Sequence, residues 1–229
     1  MTMRDSTFAI FLAQTKPLEG RLPWMYPDDL GYVTTGLGNK IDPIDDALVL
    51  PWFHMNGGLA ASPGEIAAAW HKVKSCGLGG LGGGHPRIAA LTDLRLLEGD
   101  IDLLIKVECA TNERALAAHF ANWIDLPDKA QAATLMLAWA CGSAAITEPH
   151  GGPHRFPKFE ADLAAGRLAV TEDDDQGRPV LVGGCAFECI MPASANPGND
   201  LTARNDATQA LFVAAALEVA ATTPAPPEP

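Results

Sequence analysis

The sequence predicts an α+β protein, mostly helical, with one small β-hairpin near its front. Three observations carry that prediction. Between Tyr26 and Thr35 the pattern changes from helical spacing to a strand, an Asp-Asp-Leu-Gly turn and a second strand rich in β-favouring residues. From Glu98 onward, apolar residues recur at helical spacing in segment after segment. The stretch Ala132 to Ala140 is apolar nearly all round, as the central helix of a helical core must be.

Residues 6–16 place Phe8, Phe11 and Leu12 on one side of a short helix, which Pro17 is expected to end, delivering Glu19 just past the exit. Tyr26 begins the first strand, residues 28–31 make the turn, Tyr32 to Thr35 form the return strand, and Gly36 and Gly38 loosen the backbone after it. Ser62-Pro63-Gly64-Glu65 combines an N-cap serine, Pro at the first helical position and Glu at the third, a capping box that starts a helix through about Lys74. The run from Cys76 to Arg87 carries glycine at 77, 79, 80, 82, 83 and 84 and reads as a mobile loop. It has no Gly-Lys-Ser/Thr ending and no apolar strand before it, so it is no phosphate cradle. Further helices are expected from Glu98, from Pro127 to a stop at Gly142, over "RFPKFEADLAAGRLA" and over "ATQALFVAAALEVAA"; Thr171 to Pro179 reads as an acidic surface loop. Residues 221–229 form a Pro-rich tail with nothing to pack.

Composition excludes several function classes. With 229 residues, 48% of them hydrophobic, the chain is long enough to bury a real core as one domain with two lobes. A formal charge of −12 argues against nucleic acid and anionic lipid as partners. The N-terminus has neither a signal-peptide pattern nor a membrane anchor, and no segment reaches transmembrane length. Five cysteines without metal-site spacing point to reduced thiols; Cys185 and Cys189 are near enough to pair, but without a secretory context they read as packed thiols. In "HGGPH", His150 and His154 are separated by Gly-Gly-Pro, which prevents the one-sided helical pairing a metal needs, so neither a metal nor another cofactor is expected.

The chemistry concentrates at the hairpin. Glycosidic hydrolysis needs a proton donor on the leaving oxygen and a second carboxylate that activates water or meets the developing positive charge. Glu19, among Leu18, Leu22 and Trp24, sits where an apolar setting favours the protonated form, and Asp28, in a polar turn, stays ionised, with the Thr34 hydroxyl across the hairpin to help fix a water. The same residues are also what a solvated helix exit and an ordinary Asp-rich turn contain. Trp24 and Trp52 are the tryptophans free of core-like helices and are candidates for stacking on sugars.

Glu19, eight residues, Asp28, five residues, Thr34, together with Gly20, the Tyr26-x-Asp28 step, Gly31 and Thr-x-Gly-x-Gly from Thr34 to Gly38, resembles the front motif of the phage-type lysozymes, glycoside hydrolase family 24. The segments "NERALAAHFANWIDLPDKAQAATLMLAWACG", "RFPKFEADLAAG" and "NPGNDLTARNDATQALFVAAA" are similar to the family's helical lobe, so that the resemblance spans about residues 8–220. It departs at Asn39, where the family usually carries His, and at the inserted acidic stretch 171–179. The resemblance implies a single lysozyme-like domain over residues 1–220, with a small hairpin lobe at about 17–60, a helical lobe at about 62–220 and a cleft between them. It implies a muramidase that cleaves the β-1,4 bond between N-acetylmuramic acid and N-acetylglucosamine in the peptidoglycan glycan strand. Glu19 would be the general acid, and Asp28 with Thr34 would position the water. Tyr26, Gly38 and Asn39 would contact substrate, as would Asn196, Arg204 and Asn205 at the start of the last helix, where Asn also serves as an ordinary cap. Such a protein acts at the wall as an endolysin released by a holin or as a secretion-system effector, with an immunity or delivery protein as a partner. The alternatives are a non-catalytic wall-binding or tail component, and a glycosidase acting on chitin or chitosan.

Overall fold

A computed structural model of the chain describes residues 3–148, 156–191 and 201–222, and is α+β and mostly helical. Two compact units divide it: a hairpin unit, Glu19–Glu108, and a helical unit made of Met1–Leu18 with Cys109–Pro229. The hairpin unit thus runs well past residue 60, because a helix and a second small sheet pack onto the hairpin.

The first helix, α1 (Asp5–Glu19), runs on through Pro17 instead of ending there. Pro17 removes one N–H and crowds one carbonyl, a cost confined to the last turn, where few hydrogen bonds remain to be lost. Glu19 is therefore the final residue of the helix and the first of the hairpin unit.

The hairpin unit is built on three antiparallel strands, β1 (Leu22–Pro27), β2 (Val33–Gly36) and β3 (Asn39–Lys40), in the order β1-β2-β3. Register pairs Tyr26 with Thr34 and Leu22 with Gly36, with an irregularity between those pairs that bends β1. The short helix α2 (Ile44–Leu48) and strand β4 (Phe53–His54) lead to α3 (Pro63–Lys74). Both halves of the capping box form there: Ser62 accepts from the Glu65 N–H, and the Glu65 carboxylate accepts from the Ser62 N–H. Its buried stripe, Ile66, Ala69, Trp70 and Val73, covers β1 and β2, and full burial of Ile66 or Val73 stabilises the unit by roughly 1.5–3 kcal/mol each. The Trp70 indole N–H donates to the Ile41 carbonyl at 2.8 Å, so this large side chain leaves no unsatisfied donor inside. A 3-10 turn at Gly79–Leu81, the short helix α4 (Pro86–Ala89) and strand β5 (Leu94–Arg95), paired with β4, complete the unit up to the long helix α5 (Glu98–His119).

In the helical unit, α6 (Asp128–Cys141) is buried continuously from Ala130 to Ala138 and ends at Gly142, whose φ of +81° only glycine adopts readily. α1 packs on it through Phe11 and Trp139, 5.4 Å between ring centroids. Arg4 is bonded to Asp128 at 2.7 Å, and Thr7 to Gln131 at 3.0 Å. After α7 (Ala144–Thr147) and α8 (Pro157–Ala164) comes a hairpin of β6 (Val170–Asp173) and β7 (Pro179–Gly183), so that the predicted loop from Thr171 to Pro179 is in part strand. The Asp174 carboxylate accepts the N–H groups of Gln176 and Arg178 and makes the turn, and the valines of β7 favour the strand. α9 (Cys185–Glu188) and α10 (Thr202–Thr222) close the core, with Phe159 and Phe212 edge-to-face at 5.5 Å. None of the five cysteines is in a disulfide; Cys185 and Cys189 are buried, and burial pushes the Cys189 thiol up to about 12. The proline-rich end lies outside the described residues from 223 on.

Candidate active site

The hairpin turn is organised by Asp28. Its Oδ1 accepts the N–H of Leu30 at 2.9 Å and of Tyr32 at 2.8 Å, while its own N–H donates to the Tyr32 carbonyl at 2.9 Å. From α3, Lys74 donates to the Gly31 carbonyl at 2.8 Å and pairs with Asp42. One carboxylate oxygen of Asp28 thus shapes the turn; among the described residues, no donor is bonded to the other, Oδ2. Directly cross-strand, Thr34 shares a sheet face with Tyr26. Thr34 is 3% exposed, and its hydroxyl reaches the Tyr32 carbonyl only at 3.5 Å, beyond the usual range for such a bond, so its proton remains available.

Tyr26 connects the two carboxylates. Its phenol is held far above a tyrosine's ordinary range, first by burial and then by the negative charges of Glu19 and Asp28, offset in part by the Gly38 N–H that donates to it. The chain leading away from Glu19 is anchored too. Arg21 bonds Glu98 through Nε at 2.5 Å and Asp102 through Nη1 at 2.7 Å, and Nη2 donates to the Glu98 carbonyl at 2.6 Å. This fork pins the chain two residues after Glu19 to the first turns of α5.

Asn39 is held by hydrogen bonds on two sides. It is 1% exposed; its Oδ1 accepts the Leu37 N–H, and its Nδ2 donates to Glu108 at 2.5 Å. At Gly36, φ +63°, a Cβ would lie 2.8 Å from that Oδ1, so glycine is required beside Asn39. Sequence reasoning missed Glu108, although its place seven residues after Ile101 and three after Ile105 puts a carboxylate on the buried stripe of α5. Burial raises the Glu108 carboxyl above its usual range, and the Asn39 N–H offsets this only in part. A carboxyl that keeps its proton more tightly folded than unfolded stabilises the fold most at low pH and progressively less as pH rises from the ordinary carboxylate range through its folded value. Glu108→Gln keeps an acceptor for Asn39 and carries no charge. It is expected to melt above the wild type at pH 7, with the gap closing towards a pH of about 4, as read by circular dichroism melts at both pH values.

Asn205 and Arg204 belong to the helical unit. Asn205 is consumed locally, its amide accepting from the Met191 N–H at 3.0 Å and donating to the Met191 carbonyl at 3.1 Å. Arg204 is a half-buried residue of α10, and Asn196 lies outside the described residues, as do His150 and His154. Trp52 is a core residue, 1% exposed, with its indole N–H on the Ala47 carbonyl. Trp24 is half-buried, donating to the Gly83 carbonyl at 2.9 Å, with the Arg95 guanidinium 5.1 Å from its ring. A cavity of about 420 Å³ in the same unit is lined by His54, Glu65, Lys72 and Asp93 among others, none of them in the hairpin. Both ring nitrogens of His54 are engaged there, Nδ1 with Asp93 at 2.9 Å and Nε2 with Glu65 at 3.3 Å, and Glu65 caps α3, so these groups hold β4 to its neighbours. Among the described residues no group of three His, Cys, Asp or Glu side chains is arranged for a metal ion, and no helix is long and apolar enough to cross a membrane.

No protein-family model, curated protein or solved structure matches this chain.

Proposed function

We propose that the chain is a lysozyme-like peptidoglycan hydrolase, a muramidase cleaving the β-1,4 bond between N-acetylmuramic acid and N-acetylglucosamine, and that it acts at the cell wall as an endolysin or delivered effector. The observation that carries this reading is the hairpin itself, in which the Asp28 carboxylate makes the turn and Thr34 pairs across the strands with Tyr26, two residues before Asp28. The spacing Glu19-x8-Asp28-x5-Thr34 supports it independently.

In this reading Glu19 gives its proton to the glycosidic oxygen as the bond from that oxygen to C1 of the muramic acid breaks. A water held between Asp28 Oδ2 and the Thr34 hydroxyl attacks C1 from the opposite face, and Asp28 takes the water's proton. Atoms balance with one water consumed and one new reducing end formed. Tyr26 and Gly38 form the wall of the site, and Asn39 braces it from behind through Glu108.

The test is digestion of purified sacculi by the wild type, followed by borohydride reduction and mass spectrometry of the fragments. A muramidase leaves reduced muramic acid at every new end. Reduced glucosamine ends, or anhydro ends formed without water, would overturn the assignment. Binding to sacculi without new ends would instead assign a lysozyme-like binding or structural role, which the −12 charge and Asn39 favour. Release from chitosan alone would assign the related glycosidase.

A further inference from the structure

The glycine loop, residues 77–84, is seated on the hairpin, and its six glycines do different things. Gly77 and Gly82 have φ of +65° and +75°, where the backbone itself asks for glycine. Gly79, Gly80, Gly83 and Gly84 have no such φ, so space alone decides what each would tolerate. A Cβ on Gly83 would lie 2.5 Å from Cδ2 of the Tyr26 ring and 2.7 Å from Cδ1 of Leu22, and one on Gly79 would lie 2.7 Å from the Asp28 carbonyl oxygen. At Gly80 and Gly84 a Cβ would meet nothing within 4 Å. The loop therefore touches the hairpin with bare backbone at two points, the ring of Tyr26 and the peptide of Asp28.

Its placement is fixed from below. The Trp24 indole donates to the Gly83 carbonyl at 2.9 Å, and Arg95, beside the Trp24 ring, donates in turn to the carbonyls of Thr92, Leu94 and Ala89. The 3-10 turn at Gly79–Leu81 lies between the two contact points and sets their spacing.

We propose that loop 77–84 is the positioning element of the hairpin site: Gly83 seats the Tyr26 ring and Gly79 seats the Asp28 peptide, so that phenol, Asp28 carboxylate and Thr34 hydroxyl keep the spacing that holds one water. Tyr26 and Asp28 touch the reacting groups, and the loop acts only through them. The reaction invoked rests on the muramidase reading; the seating of Tyr26 does not.

Four alanine variants in one loop test it: Gly79→Ala and Gly83→Ala against Gly80→Ala and Gly84→Ala. All are made in a Tyr32→Phe background, which leaves Tyr26 as the one tyrosine of the two in the chain. Carbon-13 labelling of tyrosine then gives a ring signal from Tyr26 alone, read at neutral pH with the fold checked by circular dichroism. Gly83→Ala is expected to displace the Tyr26 ring resonances. Gly83→Ala and Gly79→Ala are expected to lower kcat for reducing-end release by about tenfold to a hundredfold, with KM within about twofold of the parent. Gly80→Ala and Gly84→Ala should superimpose on the parent in spectrum and rate. Unmoved Tyr26 resonances in Gly83→Ala would overturn the proposal, as would an equal loss in Gly80→Ala. A parent that releases no reducing ends removes the muramidase reading, and the resonances alone then decide the seating.

Discussion

Glu19→Gln is expected to lower kcat for reducing-end release by roughly 10²–10⁴-fold while leaving KM and the fold in place, because the amide occupies the same volume but delivers no proton to the leaving oxygen. The position of residue 19 is set by its surroundings in the chain. On one side it completes α1; on the other, Gly20 turns the chain at φ +71° and the Arg21 fork fixes the entry to β1 against Glu98 and Asp102. A thermal melt of the same preparation reads any change in stability separately, so that a loss of rate at matched folded concentration is assigned to chemistry. The measurement is the initial rate on sacculi at matched concentration of folded protein. A variant that keeps more than a tenth of the wild-type kcat, about 1.4 kcal/mol of barrier, would remove Glu19 as the acid.

The features that were legible in the sequence are those with local causes. Ser62 and Glu65 name a capping box from three residues of separation, and both of its hydrogen bonds form; Gly142 stops α6 because only glycine takes the φ found there. Asp28 and Gly31 mark a turn that the Asp28 carboxylate makes. Where local rules misled, a competing local signal was present: the aspartates at 173–175 read as loop, yet Val180 and Val182 favoured a strand, and Asp174 supplied the turn between them. The contacts that hold the site have no local cause at all. Trp24 meets Gly83 across 59 residues, Asn39 meets Glu108 across 69, and Arg21 meets Asp102 across 81. The spacing of Glu19, Asp28 and Thr34 could name candidate chemistry, because it is a pattern within one hairpin. The brace behind Asn39 and the seat under Tyr26 depend on how distant segments return, and only the folded chain brings those together.

Asp28 makes the hairpin turn and, in the proposed reaction, would also take the water's proton; two substitutions separate these roles. In Asp28→Asn, the side-chain carbonyl can accept the Leu30 and Tyr32 N–H groups as Oδ1 does now, so the turn and the melting temperature should survive. An amide cannot take a proton from water, so kcat is expected to fall by roughly 10²–10⁴-fold. Asp28→Ala removes the acceptor as well: the same loss of rate should appear together with a loss of about 1 kcal/mol of stability, which for a chain of this size lowers the melting temperature by about 2–4 °C. Reducing-end kinetics and thermal melts on the same two preparations read both roles. If Asp28→Asn melted as low as Asp28→Ala, the negative charge rather than the carbonyl geometry would hold the turn. If Asp28→Asn kept its rate, Asp28 would be only a turn residue, and the water would have to be activated by a group other than the one the hairpin presents beside Thr34.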